Sequence, residues 1–220
     1  MTAKAILFDF DGTIADTYQA IATITNQLSR EFGYKALSQE ELLLIKNLSS
    51  REIVKRSEIS IFKLPFLVRR IRLELNKEIA ELEPIPDITQ VLFKLKDLDF
   101  TLGIVTSNNH DNVNIFLNKH NLTELFDYIY PGTAIFGKHR VINQAIKEHK
   151  LNKANVIYVG DETRDIRSAK KSQIPIISVS WGFNAVEILS QHQPDYLVNY
   201  PPELLRAIAL WQPSRSTVNS

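Results

Sequence analysis

Phe8-Asp9-Phe10-Asp11-Gly12-Thr13-Ile14-Ala15-Asp16 sets two carboxylates two positions apart, where the short apolar run Ala5–Phe8 meets a turn. Alternation along an extended chain gives Asp9 and Asp11 a similar direction. Gly12 lets the backbone bend sharply or come close to a bound group. The pair then stands at the carboxyl end of a strand, where open α/β sheets bind ligands. The competing reading is a plain turn after an edge strand, because Asp-Gly is a common turn dipeptide. Four fixed residues in D-x-D-G-T arise by composition in only about a few chains per thousand, which favours function.

The chain has 220 residues, enough for one large domain or for a core with an inserted lobe. With 44% hydrophobic and 23% charged residues it has the balance of an ordinary globular protein. Its 26 basic and 25 acidic side chains leave a net charge of +1, so no global field points to nucleic acid or an acidic membrane as partner. The absence of cysteine excludes disulfides, thiolate metal ligands and a cysteine nucleophile. Met1 to Lys4 leave no room for a signal or transit peptide before the first strand, and no apolar run reaches the roughly 18 residues of a membrane span. A cytoplasmic protein is the resulting expectation, and nothing in the composition chooses between monomer and homodimer.

Three further runs read as buried parallel strands, each short, apolar and closed by polar residues or glycine: 100–106, 155–160 and 174–180. Tyr128–Tyr130 and Tyr196–Val198 are candidates for two more. Val91, Leu92, Leu95 and Leu98 keep helical spacing before 100–106, as do Val141, Ile142, Ala145 and Ile146 before 155–160. Strands alternating with helices predict an α/β fold with a doubly wound, mostly parallel sheet.

Residues 17–83 break the alternation with several helical patterns and no convincing strand. Ser38 with Glu41, and Ser49 with Glu52, match the capping box. Pro65 fits an early helical position, and Phe66, Leu67, Ile71, Leu75 and Ile79 mark an apolar face. Glu83-Pro84-Ile85-Pro86 reads as a stiff return. The expected organisation is a catalytic core of residues 1–16 and 84–211, a helical cap of residues 17–83 hinged at both ends, and a disordered tail, 212–220.

Three more clusters complete the candidate chemistry. Thr106-Ser107-Asn108-Asn109 gathers hydroxyls and amides at a strand's end, which suits a phosphate and equally suits a helix N-cap; the two readings can coexist. Gly137-Lys138 precedes a helical stretch and lets the ammonium reach back towards the sheet, although most single lysines are solvated surface charges. Gly160-Asp161-Glu162-Thr163-Arg164-Asp165 crowds acidic groups at a strand exit, suiting magnesium or, alternatively, the capping of a helix start.

The order and positions of these four elements resemble the haloacid dehalogenase-like superfamily, in its phosphatase branch with a helical cap, including phosphoglycolate phosphatase and β-phosphoglucomutase. The resemblance implies that Asp9 attacks phosphorus to form an aspartyl-phosphate, and that Asp11 protonates the leaving oxygen and then deprotonates the hydrolytic water. It implies Mg2+ held by Asp9, the backbone carbonyl of Asp11 and Asp161, with Asp165 or Glu162 in its outer shell. Lys138, Thr106, Ser107 and Asn108 would bind the phosphoryl group of a small phosphorylated metabolite. His139-Arg140 stands where many relatives carry proline, and Glu162-Thr163-Arg164 where small residues are common, which puts the subfamily in doubt.

Arg51 and Lys55 of the cap are candidate substrate contacts, set against a solvated helix face; Arg69, Arg70 and Arg72 read more strongly as solvated. Asp11 argues against dehalogenation. A phosphomutase shares every core residue, a phosphonate hydrolase would need a cap lysine such as Lys55, and a catalytically silent binding protein is the reading from another class.

Overall fold

Ala5–Phe8 forms β1, and all four of its side chains are buried. The protein is seen here as a computed structural model that describes residues 4–57, 59–131 and 137–211; the tail 212–220 lies outside the described residues. After β1 the chain runs through α1 (Tyr18–Gln27), α2 (Ser29–Phe32), α3 (Gln39–Ile45), α4 (Ser50–Arg56), α5 (Leu64–Leu75) and α6 (Ile88–Asp97). Then follow β2 (Thr101–Val105), α7 (His110–Lys119), β3 (Tyr128–Tyr130), α8 (Lys138–Glu148), β4 (Val156–Gly160) and α9 (Thr163–Ser172). The last elements are β5 (Ile176–Val179), α10 (Val186–Gln191), β6 (Tyr196–Val198) and α11 (Glu203–Leu210).

The strands lie in the order β3-β2-β1-β4-β5-β6, every pairing parallel. Phe8 is level with Ile104 of β2 on one side and Val159 of β4 on the other. The chain winds away from β1 in one direction through β2 and β3, and in the other through β4 to β6. The winding therefore reverses beside β1, and the crevice at a reversal is where such sheets take up ligands.

Ile6 and Phe8 join an apolar cluster with Leu92, Ile104 and Phe116, while Ala5 and Leu7 join another with Ile142, Tyr158 and Ile166. Two covered faces explain why the strands read as continuous apolar runs. Each large side chain so buried contributes about 1.5–3 kcal/mol.

Residues 17–83 carry α1 to α5 and no strand among the described residues. Both capping boxes form: Ser38 Oγ accepts from the Glu41 N–H and Ser49 Oγ from the Glu52 N–H, with each glutamate bonding back. Pro65 sits in the first turn of α5, and Leu67 and Leu75 are buried. Phe66 is the exception to the expected apolar face, at 65% exposed; one residue before Leu67, it is turned about 100° away around the helix. Leu98 is likewise 64% exposed, because α6 has ended before it. The two strands of chain joining lobe and core run side by side: the Asp16 N–H donates to Glu83 O (3.0 Å) and the Ile85 N–H to Ile14 O (2.8 Å). No helix among the described residues is long and apolar enough to cross a membrane.

Candidate active site

Asp9 follows β1 directly, and its N–H still donates to Val159 O of β4 (2.8 Å), so the residue stands on the sheet. Its Oδ1 accepts from the Phe10 N–H (2.8 Å) and its Oδ2 from Lys138 Nζ (2.6 Å). Phe10 turns into the core and meets Phe116 edge-on at 5.2 Å. The chain bends at Gly12 with φ at 73°, and a Cβ there would lie 2.5 Å from Asp161 Oδ2, so the turn needs glycine on both counts.

Lys138 opens α8, and its Nζ lies 2.6 Å from both Asp9 Oδ2 and Asp165 Oδ1, with all three side chains buried. The solvated reading of this lysine is thereby overturned. Burial pulls its pKa down, but Asp165 and Asp9 more than offset this and leave it above the ordinary value. Asp161 stands at the exit of β4, where Thr13 Oγ1 donates to its Oδ1 (2.8 Å) and the Phe183 N–H to its Oδ2 (2.7 Å). Asp165 Oδ2 accepts from the Glu162 N–H (3.0 Å), so this residue caps the start of α9, and the capping reading of the acidic cluster holds for it.

One carboxylate oxygen each from Asp9, Asp161 and Asp165 lie within 4.8 Å of one another. Burial, then the neighbouring Glu162, Asp9 and Asp165, push the Asp161 carboxyl well above its usual range. Asp165 is raised to about 6, first by burial, although Lys138 opposes the shift. Burial is the first cause of both shifts; by formal charge, the carboxylates of Asp9, Asp161, Glu162 and Asp165 outnumber the cations Lys138 and Arg164 beside them. A buried, all-oxygen donor set carrying such an excess fits a hard divalent cation. The Asp11 side chain is not one of the three.

Asp11 instead receives a hydrogen bond on Oδ1 from Asn108 Nδ2 (3.0 Å). Burial, then the charge of Asp9, raises its pKa to about 7, with the Asn108 bond and Arg164 opposing. A carboxyl poised there can both give and take a proton near neutrality. Thr106 follows β2 and is buried; its Oγ1 accepts from the Asn108 N–H (3.0 Å), which leaves the O–H to donate. Asn109 accepts from the Asn112 N–H (2.8 Å) and caps α7, so the N-cap reading of this segment holds beside any other. Ser107 Oγ lies 3.4 Å from Arg164 Nη2. Asn108, expected on phosphate, has its amide engaged by protein groups: Nδ2 on Asp11, and Oδ1 on the Asn109 N–H and Asn112 Nδ2.

A cavity of about 280 Å³ opens against Asp11, Ser107 and Asn108 and is roofed by the lobe, with Val54, Val68 and Ile71 among its apolar walls. Arg72 and Arg164 reach its lining; Arg51 and Lys55 do not, and both are exposed. Of the lobe's basic residues singled out in the sequence, Arg72, read as solvated, is the one that lines this cavity. It lies four residues after Val68 and so shares the cavity face of α5, a spacing legible in the sequence. Arg164, read as a neutralising charge, bonds Glu162 Oε1 through Nε (2.7 Å) and is held above its ordinary pKa by Glu162, Asp9 and Asp165 against the pull of burial. Lobe and core also meet where Ser50 Oγ donates to Glu162 Oε2 (3.0 Å) and Asn184 Nδ2 to Lys46 O (3.1 Å) and Leu48 O (3.0 Å). Thr13 and the Phe183 N–H were not anticipated as partners of Asp161. Thr13 belongs to the quoted motif, whereas nothing in the sequence marks the 182–184 loop.

The chain is similar to known proteins over most of its length. The model of the haloacid dehalogenase-like hydrolase family matches residues 6–179. A phosphoglycolate phosphatase of Synechococcus elongatus is 34% identical over 205 residues, 93% of this chain and 97% of the relative. Among solved structures, a haloacid dehalogenase-like family protein from Streptococcus pneumoniae superposes with a TM-score of 0.75 at 25% identity, covering 94% of this chain and 98% of that one. A predicted phosphatase from Clostridium acetobutylicum gives 0.81 at 24% identity over 96% of this chain and 100% of its own, a likeness of fold. Since the matched span runs from β1 to β5 and takes in Asp9, Lys138 and the Asp161–Asp165 cluster together, the chain belongs to the haloacid dehalogenase-like hydrolase family.

Proposed function

We propose that this phosphatase hydrolyses a small phosphomonoester of the phosphoglycolate or sugar-phosphate class, in a magnesium-dependent reaction through an aspartyl-phosphate on Asp9. The observation that carries the reading is the buried junction of Lys138 with Asp9 and Asp165, set beside an Asp11 carboxyl raised to about 7. A carboxylate that approaches a phosphate meets like charge, about 4 kcal/mol per unit pair at 4 Å for an effective dielectric near 20. Lys138 offsets part of that repulsion. Magnesium, held by Asp9, Asp161 and the Asp11 backbone carbonyl with Asp165 behind them, would supply further positive charge and polarise the phosphoryl oxygens.

Asp9 attacks phosphorus while Asp11 delivers a proton to the leaving oxygen; Asp11, now ionised, then takes a proton from the water that cleaves the acyl phosphate. The Thr106 hydroxyl and the backbone amide after it orient the phosphoryl oxygens. The name of the Synechococcus elongatus relative supports 2-phosphoglycolate as substrate. So does Arg72, whose guanidinium at the cavity wall feels the charge of Asp11 and offers a partner to a substrate carboxylate. The protein would act in the cytoplasm, as a monomer or homodimer.

Release of phosphate from an aryl phosphate and from a panel including 2-phosphoglycolate and sugar phosphates, with and without magnesium, tests the proposal. Asp9→Asn is expected to lower turnover on the order of 10⁴-fold, as removal of a nucleophile does. Magnesium-independent release, or equal release by the variant, would sink it.

A further inference from the structure

Asp11 is tied to the helical lobe through three asparagine side chains in series. Asn108 Nδ2 donates to Asp11 Oδ1 (3.0 Å), Asn112 Nδ2 donates to Asn108 Oδ1 (2.9 Å), and Asn76 Nδ2 donates to Asn112 Oδ1 (2.7 Å). Asn112 Nδ2 also donates to the backbone oxygen of Arg72 (3.1 Å). Asn108 and Asn112 belong to the core and are buried, whereas Arg72 and Asn76 lie at the end of α5. Every link points the same way, with each amide giving its hydrogen towards Asp11. Asn108 Oδ1 accepts a second hydrogen from the Asn109 N–H (2.8 Å), so turning that amide over would set N–H against N–H.

We propose that Asn112 is a positioning residue that makes proton delivery by Asp11 conditional on the docked lobe. Two of the three side-chain bonds of Asn112 end on the lobe. With the lobe displaced, this buried amide loses the partners that hold its rotamer, and Asn108 Oδ1 keeps the Asn109 N–H but loses the second of the two donors that fix the aim of its Nδ2 at Asp11. The carboxyl of Asp11 must lie within hydrogen-bond reach of the leaving oxygen at the moment of transfer, so its orientation decides whether the proton arrives. The lobe thus acts on the chemistry through hydrogen bonds as well as by roofing the cavity. The inference rests on the reading of Asp11 as the group that protonates the leaving oxygen.

An alkyl phosphate expels a basic alkoxide and needs that proton; 4-nitrophenyl phosphate expels a stable phenolate and scarcely does. The value of kcat/KM, which reports transfer to Asp9 rather than later hydrolysis, is measured on both esters for the wild type, Asp11→Asn, Asn112→Ala and Asn76→Ala. Asn112→Ala is expected to lose about tenfold on the alkyl ester and less than about twofold on the aryl ester, a part of the roughly 10²–10⁴-fold that general-acid catalysis supplies. Asn76→Ala is expected to lose about threefold with the same selectivity. Asn76 is exposed, so its variant decides the matter should Asn112→Ala not fold. Equal loss on both esters, or no loss on either, overturns the inference while leaving the proposed function standing. An Asp11→Asn variant without ester selectivity overturns the reading of Asp11, and the inference with it.

Discussion

At the carboxyl ends of β1 and β4, Asp9 and Asp161 are each held by two bonds of 2.6–2.8 Å to groups on other elements or on the adjoining turn. Across the cavity the lobe presents Val54, Val68 and Ile71, apolar side chains that fix a shape and no single geometry. The core is built to tolerate little displacement, and its charges become costly as soon as a partner is missing. The lobe meets the core through amide and backbone contacts and through Leu75 and Ile79, which share an apolar cluster with Phe10 and Phe116 and set no direction for a reacting group. Reaction type and choice of substrate are thereby assigned to regions of different stiffness.

The comparison can be broken most severely at Lys138. Lys138→Met leaves Asp9 and Asp165 facing each other in a buried site and is expected to cost about 3–5 kcal/mol in urea unfolding. A smaller loss would mean that the core charges are less tightly coupled than the geometry indicates.

The second test uses pH. Asp11 and Asp165 bind protons more tightly in the folded chain, at about 7 and about 6, than at their ordinary value of 3.8. The stability they contribute is therefore complete below that ordinary value and lost as pH rises through about 6 and 7. In chelator, the melting temperature is expected to fall by several degrees between about pH 5 and about pH 8. Magnesium is expected to restore more at the higher pH. A flat profile in chelator would remove the argument for uncompensated charge.

On the lobe side the expected effects are smaller and selective. Arg72→Gln is expected to raise KM about tenfold for a phosphomonoester bearing a carboxylate, and less than about twofold for a neutral one, as loss of one charge-assisted bond does. An equal rise for both esters would make Arg72 part of the wall rather than a reader of charge.

Legibility followed the same division. The strands were readable because burial on both faces leaves uninterrupted apolar runs, and Asp9 and Asp11 because they stand two apart directly after such a run. Both capping boxes form because their two bonds are local in sequence. Lys138 could not be separated from a surface lysine by its neighbours, since its partners lie 129 and 27 residues away. Arg72 stands among other arginines; its spacing from Val68 puts the two on one face of α5, but only the rotation of α5 against the core decides that this face meets the cavity. Asn112 stands four residues after Asn108, a local pair, but its meaning depends on Asn76, which lies 36 residues away on the lobe and which only the fold brings to it.

The side-by-side crossing at Asp16, Glu83, Ile14 and Ile85 has a consequence for engineering. A segment whose two ends meet within hydrogen-bonding distance is a cassette. Residues 17–83 are expected to be exchangeable for the corresponding segment of a relative, provided that it covers the apolar side chains that Leu75 and Ile79 cover now. The core would then be a scaffold on which new roofs, and with them new substrate preferences, can be tried one at a time.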